Sequence, residues 1–207
     1  IVGSPCALII ATPIAYLSAI ASAARRGVLI KGGAYLEALA RCRCVIFDKT
    51  GTLTQGRPRV ARVECLDGLD DVEMLRIAGA LEASSSHPLA SAINAAIEER
   101  GIAPLEASGV ELVPGRGVRG SIAGQRAALG RLELVEDLLE PSSRGTARDV
   151  VGRVYAEGLT AALVAHAGRG AVLAFEDPIR ADAARTVAYL HSEGVRRIVM
   201  LTGDNER

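Results

Sequence analysis

The longest feature in the pattern of hydrophobic and polar positions is residues 1–24, which contain no charged side chain. As a helix this run would span roughly 36 Å, against a hydrocarbon core of about 30 Å, and it predicts a transmembrane helix. A signal peptide would need a basic start and a shorter apolar stretch. Arg25, Arg26 and Lys31 follow at once, which favours a cytoplasmic C-terminal side. Pro5 and Pro13 predict breaks in the helix, because proline removes an amide donor and clashes with the preceding turn. Two readings fit such a break. Freed carbonyls tolerated in a membrane line a cavity or meet an ion, which makes Ser4 and Cys6 candidate cation ligands. A simple kink with small residues for helix packing fits as well.

Beyond residue 25 the pattern changes to short alternating elements. Residues 25–44 predict a juxtamembrane helix leading into the strand Cys44–Phe47, with Asp48 at its C-terminal end. Helices are expected at 70–83, started by Asp70 and Asp71, and at 88–100, ended by Gly101. Residues 110–130 predict short strands with glycine turns. A hairpin follows through Leu159–His166 and Ala171–Phe175, with Gly168-Arg169-Gly170 as its turn. The helix at 180–193 carries Ala183, Ala184, Val187 and Leu190 on one face and is closed by Gly194; the strand Ile198–Leu201 comes next. The fold class is therefore α/β, interrupted by an inserted α+β domain. The expected segments are a membrane helix at 1–24, a first part of the α/β domain at 25–57, the insert at 58–175, and a return at 176–207.

Composition excludes some classes. Basic and acidic residues balance at 24 each and there is no Trp, so neither an electrostatic nor a stacking platform for nucleic acid is expected. Four cysteines in 207 residues are too few for a disulfide scaffold and fit a reduced, intracellular setting. The absence of an initiator Met and the stop after the strand at 198–201 suggest a piece of a longer chain.

Asp48-Lys49-Thr50-Gly51-Thr52-Leu53-Thr54 carries the chemistry. An aspartate at a strand tip, followed by a glycine-bearing turn, can present its carboxylate to a phosphoryl group, while amides and hydroxyls of the turn hold the phosphate oxygens. Carboxylate and phosphate repel each other, so such a site also needs a divalent cation, normally Mg²⁺. This heptad resembles the phosphorylation motif of the P-type ATPases. The resemblance implies a haloacid-dehalogenase-like phosphorylation domain in which Asp48 is the phosphorylated nucleophile and a Mg²⁺ ligand, with Lys49 and Thr50 beside it. Related soluble phosphatases have a second aspartate where Thr50 stands, and Thr50 cannot activate water in that way. Asp177-Pro178-Ile179-Arg180 resembles the segment by which the chain re-enters this domain. Thr202-Gly203-Asp204 resembles the family's phosphoryl-contacting loop.

Three features resemble the heavy-metal-transporting branch: Ser4-Pro5-Cys6 with Ala11-Thr12-Pro13, Gly27–Gly33, and Ser86-His87-Pro88-Leu89 with Glu82 five residues earlier. The resemblance implies ATP binding with Glu82 and His87 at the base, Gly115 and Gly117 at the nucleotide, and Asp177 and Arg180 among the cofactor contacts. It departs at Gly130-Arg131, where the family usually has Gly-Asn, so a contact from Arg131 is not carried over. Gly115–Gly120 also matches a dinucleotide fingerprint, but a strand pattern follows where a helix should start. Ser4 in place of a first cysteine disfavours Cu(I) and points to Co²⁺, Zn²⁺, Ni²⁺ or Fe²⁺. Cys42 and Cys44 are read as packing residues before a buried strand, and His166 and His191 as structural. The implied function is ATP-driven export of a heavy-metal cation by a multi-pass protein of the cell membrane, with cytoplasmic catalytic domains and a metal-delivering chaperone or chelator as a further partner. The fragment alone is not expected to turn over, because the family's Gly-Asp-Gly-x-Asn-Asp segment does not occur in it. The rivals are a soluble phosphatase of the same superfamily and a non-catalytic nucleotide-binding remnant.

Overall fold

The computed structural model of the chain describes residues 6–66, 68 and 70–201. Ser4, Thr202, Gly203 and Asp204 lie outside the described residues, and so does the side chain of Cys6. In chain order the elements begin with α1 (Cys6–Ala24), α2 (Gly33–Ala40), β1 (Cys44–Asp48), β2 (Arg59–Cys65), α3 (Asp71–Glu82) and α4 (Pro88–Glu99). They continue with β3 (Ser108–Val113), β4 (Gly117–Ile122), β5 (Gln125–Gly130), α5 (Leu132–Val135) and α6 (Pro141–Ala156). The last four are β6 (Thr160–His166), β7 (Arg169–Glu176), α7 (Ala183–Ser192) and β8 (Arg197–Leu201). They fall into two compact units, one formed by the described residues up to Phe47 and from Asp182, the other by Asp48–Ala181.

The larger unit is built on a six-stranded antiparallel sheet of order β2-β7-β6-β5-β4-β3. Its central strands are apolar on both faces because helices cover both. Ala162, Val164, Ala171, Leu173 and Phe175 pack with Met74, Leu75, Leu81 and Ile93 of α3 and α4. The alternate residues Ala161, Leu163, Ala165, Val172 and Ala174 pack with Val135, Leu139, Ala147, Val150 and Val154 on the α5–α6 side. Period-2 alternation in β6 and β7 thus feeds two cores at once. Asp70 caps α3 by accepting from Val72 N at 3.0 Å. At the edge, β2 is tied to α6 by an ion network in which Arg62 donates to Glu64 and Glu157, both at 2.7 Å, and Arg153 donates to Glu64 at 2.9 Å.

Several expectations need correction. The β6–β7 turn is the two residues Ala167 and Gly168, with φ 54° and 82°, and His166 pairs with Arg169. Gly170 belongs to the strand, because a Cβ there would stand 2.5 Å from Leu139 Cδ2 and 2.8 Å from Val164 O. Strand β2 and helix α6 were not anticipated, although Ser143, Ala147, Val150 and Val154, all buried, have helical spacing. Of residues 25–44 only Gly33–Ala40 are helical.

In the smaller unit β1 pairs with β8, and Arg43 O accepts from Arg196 N and Arg197 N at 2.9 and 3.1 Å. Ala183, Val187 and Leu190 of α7 are half-buried as the spacing predicts, while Ala184 is exposed. Gly194 follows with φ 90°. Helix α1 runs unbroken through Pro13, because the loss of one backbone bond leaves the remaining ladder to carry it. Ile9, Ile10, Ile14 and Leu17 on α1 are exposed. Among the described residues no helix is long and apolar enough to cross a membrane. Cys44 is exposed and Cys42 half-buried, its thiol donating to Cys44 O at 3.1 Å, so neither fills a core.

Replacing Leu173, fully buried between the sheet and α3, with Ala should lower stability by about 2–5 kcal/mol in urea unfolding.

Candidate functional site

Strand β1 ends at Asp48, whose carboxylate is exposed and has no hydrogen-bond partner among the described residues. The chain then turns sharply. Thr50 has φ −78° and ψ 122°, and Gly51 φ 76° and ψ −9°, the dihedrals of a type II turn. The second position of that turn needs positive φ, which is why glycine stands there. Gly56 closes the loop against it, since a Cβ on Gly56 would stand 3.1 Å from Gly51 Cα.

A segment more than a hundred residues later holds this loop. Thr54, 4% exposed, forms an antiparallel bridge with Ile179. Gln55 N donates to Pro178 O and Arg180 N donates to Leu53 O, each at 2.9 Å. The Thr54 hydroxyl lies 2.6 Å from Asp177 Oδ2 and 3.1 Å from Lys49 O, and it has one proton. The shorter, charged acceptor takes that proton. The same oxygen accepts from Gly51 N at 3.0 Å, and Lys49 O accepts from Thr54 N at 3.1 Å. Asp177 Oδ1 receives Arg57 N at 3.2 Å. The Arg180 guanidinium donates from Nε to Thr52 O and Thr54 O, both at 3.0 Å, and from a terminal nitrogen to Gly51 O at 3.1 Å. Asp177 and Arg180, expected at a nucleotide, therefore direct their polar groups to the loop itself. These bonds all lie within the compact unit Asp48–Ala181. Thr54 had no role assigned beyond its place in the heptad, and its polar type at a buried position is the signal that could have found it.

Glu82 ends α3 and is buried, and its Oε2 has no hydrogen-bond partner among the described residues. A buried carboxylate oxygen left unpaired is costly, and a donor such as the exocyclic amine of adenine would satisfy it. His87 is the N-cap of α4, and Pro88 follows at the first helical position. Its Nδ1 accepts from Leu89 N at 3.2 Å. The ring is therefore held in the tautomer that carries its proton on Nε2. Both residues sit at the α3–α4 connection, and they fit a nucleotide base.

The glycines of the next turn divide into two kinds. At Gly115, with φ 71°, an added Cβ would meet nothing within 4 Å, which leaves room for a ligand. At Gly117, with φ 141°, a Cβ would stand 2.1 Å from Leu129 O and 2.6 Å from Gly130 Cα. Gly117 pairs with Gly130 across β4 and β5, so the close approach it permits is between two strands. Arg131 N donates to Arg116 O at 2.7 Å and its residue precedes α5. Residues 117–122 form a strand, which removes the dinucleotide reading. His166 Nε2 and His191 Nδ1 lie 3.2 and 3.0 Å from the backbone oxygens of Ile122 and Val195, a structural use.

Among the described residues no group of three or more His, Cys, Asp or Glu is placed to hold a metal ion. Mg²⁺ commonly takes one or two carboxylates, with waters and substrate phosphates completing its shell. The uncommitted carboxylate of Asp48 fits that requirement, whereas both oxygens of Asp177 are already engaged.

The family model for haloacid dehalogenase-like hydrolases matches residues 42–207. The chain belongs to this hydrolase family. Within it, the chain is similar along its whole length to metal-transporting P-type ATPases. The "Probable cadmium-transporting ATPase" of Alkalihalophilus pseudofirmus is 38% identical over 210 residues, which cover 100% of this chain and 29% of that protein. The "Probable copper-exporting P-type ATPase V" of Mycobacterium tuberculosis is 40% identical over 210 residues, covering 100% and 27%. The crystal structure of a zinc-transporting PIB-type ATPase in its E2.Pi state superposes with a TM-score of 0.76 at 38% identity, covering 98% of this chain and 32% of that one. The chain thus spans less than a third of the length of these relatives.

Thr54→Val would leave Asp177 Oδ2 and Gly51 N without their shared partner, and should cost about 1–3 kcal/mol in urea unfolding. Gly117→Ala should destabilise by about 1–3 kcal/mol through overpacking of β4 on β5, and should lower stability more than Gly115→Ala in the same assay.

Proposed function

We propose that this chain is the catalytic portion of an ATP-driven heavy-metal pump that passes through an aspartyl phosphate on Asp48. The observation that carries this reading is an exposed, uncommitted carboxylate at a strand tip, heading a type II turn that Thr54, Asp177 and Arg180 hold rigidly. The orphan oxygen of Glu82 and the fixed tautomer of His87 support a base-binding site for ATP in the same unit.

In this reading Asp48 Oδ attacks the γ-phosphorus of ATP in line. A new P–O bond forms to the carboxylate as the bond to the bridging oxygen breaks, and ADP leaves. Lys49 and Thr50 flank the nucleophile, and the resemblance of Thr202-Gly203-Asp204 to the family's phosphoryl-contacting loop supports a role for them in the same step. Mg²⁺, when bound, supplies screening of the repulsion between carboxylate and phosphate. Thr50 at the position of a second aspartate leaves no general base there to hydrolyse the acyl phosphate. Asp177 and Arg180 serve this chemistry by shaping the loop.

Residues 1–24 form a membrane helix in this proposal, with Ser4 and Cys6 facing the transported ion and the catalytic units on the cytoplasmic side. One thiolate and one hydroxyl suit a borderline divalent cation better than Cu(I), and Zn²⁺, Co²⁺, Ni²⁺ and Fe²⁺ are the candidates. Of these candidates zinc is the one for which a similar protein is named; other relatives are named for cadmium and copper, which lie outside the set.

Asp48→Asn in the full-length protein should abolish acid-stable labelling from ATP carrying a radioactive γ-phosphate, with transport lost in parallel. Labelled protein that survives the substitution would defeat the assignment.

A further inference from the structure

Helix α1 carries the candidate ion ligand Cys6 at its start, and α2 leads through three residues into β1, which ends at Asp48. These two helices meet at one place. The Tyr16 hydroxyl on α1 donates a hydrogen bond to Glu37 Oε1 on α2. Behind that bond the Tyr16 ring lies flat against the first turn of α2. A Cβ on Gly33 would stand 3.1, 3.2 and 3.3 Å from ring atoms Cγ, Cδ1 and Cδ2. Glycine at Gly33 is what lets the ring seat. Glu37 is further oriented by Arg41, one turn on, at 3.6 Å. No other acidic residue occurs in the first 47, so Tyr16 has no competing carboxylate nearby in sequence.

The position of Tyr16 along α1 gives this contact meaning. Tyr16 lies ten helical steps beyond Cys6, about 15 Å at 1.5 Å per residue. That is half of the roughly 30 Å hydrocarbon core. Transporter ion sites lie near the bilayer midplane, where the pump reading puts Cys6. Tyrosine with an apolar ring and a polar tip is suited to the membrane–water boundary, which is where this spacing puts it. The hydrogen bond to α2 joins the helix that starts at Cys6 to the helix that precedes β1, the strand ending at Asp48.

Resting on the pump reading above, we propose that Tyr16 and Glu37 are positioning residues that couple occupancy of the ion site to phosphorylation of Asp48. Neither touches the ion or the phosphoryl group. The hydroxyl–carboxylate bond makes α1 and α2 move together, so that a displacement of α1 reaches β1 through the short link 41–43.

The test uses the full-length protein in lipid vesicles, with Zn²⁺ as the probe metal, and compares Tyr16→Phe, Glu37→Gln and the double variant with the parent. Phenylalanine keeps the ring on Gly33 and removes only the hydroxyl. Phosphoenzyme formed from ATP without added Zn²⁺ should stay within about twofold of the parent. Stimulation of ATP hydrolysis by Zn²⁺ should fall at least about fivefold, the lower end of site-to-site coupling. The double variant should lose no more than either single one, because both remove the same bond. Single variants that retain the parent's Zn²⁺ stimulation, or losses that add, would overturn the coupling role alone. A parent that forms no phosphoenzyme would sink the pump reading itself, and the coupling role with it. A merely structural role would lower total phosphoenzyme and leave the stimulation ratio where it was.

Discussion

One threonine hydroxyl, 2.6 Å from a carboxylate, holds the loop after Asp48 in register with chain more than a hundred residues later. The loop presents several backbone carbonyls close together, and each needs a donor if the turn is to keep one shape. Arg180 supplies donors to three of them from a single planar group. Because guanidinium is rigid and always charged, it fixes their mutual geometry as well as satisfying them. Asp177 completes the clip by accepting from both Thr54 and Arg57. The Asp48 carboxylate at the head of this loop is exposed and has no hydrogen-bond partner among the described residues, so the bonds that hold the loop leave it open to a ligand.

The six-stranded sheet serves this arrangement indirectly. Strand β7 runs from the hairpin at Ala167-Gly168 through the doubly covered core and ends at Glu176, one residue before the clip. The register of β7 against β2 and β6 therefore decides where Asp177 begins. The same sheet carries α3, which ends at Glu82, and α4, which His87 caps. Glu82 is buried with one carboxylate oxygen unpaired among the described residues, a costly arrangement until a donor meets it.

Much of this was legible from residue types and spacing. Asp70 as a cap, Gly101 and Gly194 as terminators, and the spacing of Ala183, Val187 and Leu190 are local signals, set by chemistry within a turn or two. The turn at Gly51 was legible for the same reason, since positive φ narrows the choice of residue. The β6–β7 turn was misplaced by one residue because Gly168, Arg169 and Gly170 offer two glycines for one turn. Only the packing of Leu139 against Gly170 tells which glycine lies in the strand. Helix α6 was passed over because its apolar positions are small and separated by arginines, and their spacing gains weight only beside a sheet face that needs covering.

Residue identity and spacing already carry the local features: an aspartate at the tip of an apolar strand, a glycine to turn the chain after it, and a histidine set before a proline at a helix start. These follow from bond rotations and hydrogen bonding between near neighbours, which residue identity dictates directly. The partners of that chemistry were decided by the tertiary structure alone. That Arg180 faces carbonyls of the loop, that Gly117 opposes Gly130, and that Glu82 keeps an unpaired oxygen depend on strands pairing across long stretches of chain. No local preference encodes such pairings, because they exist only once the sheet has brought distant backbones within hydrogen-bonding distance.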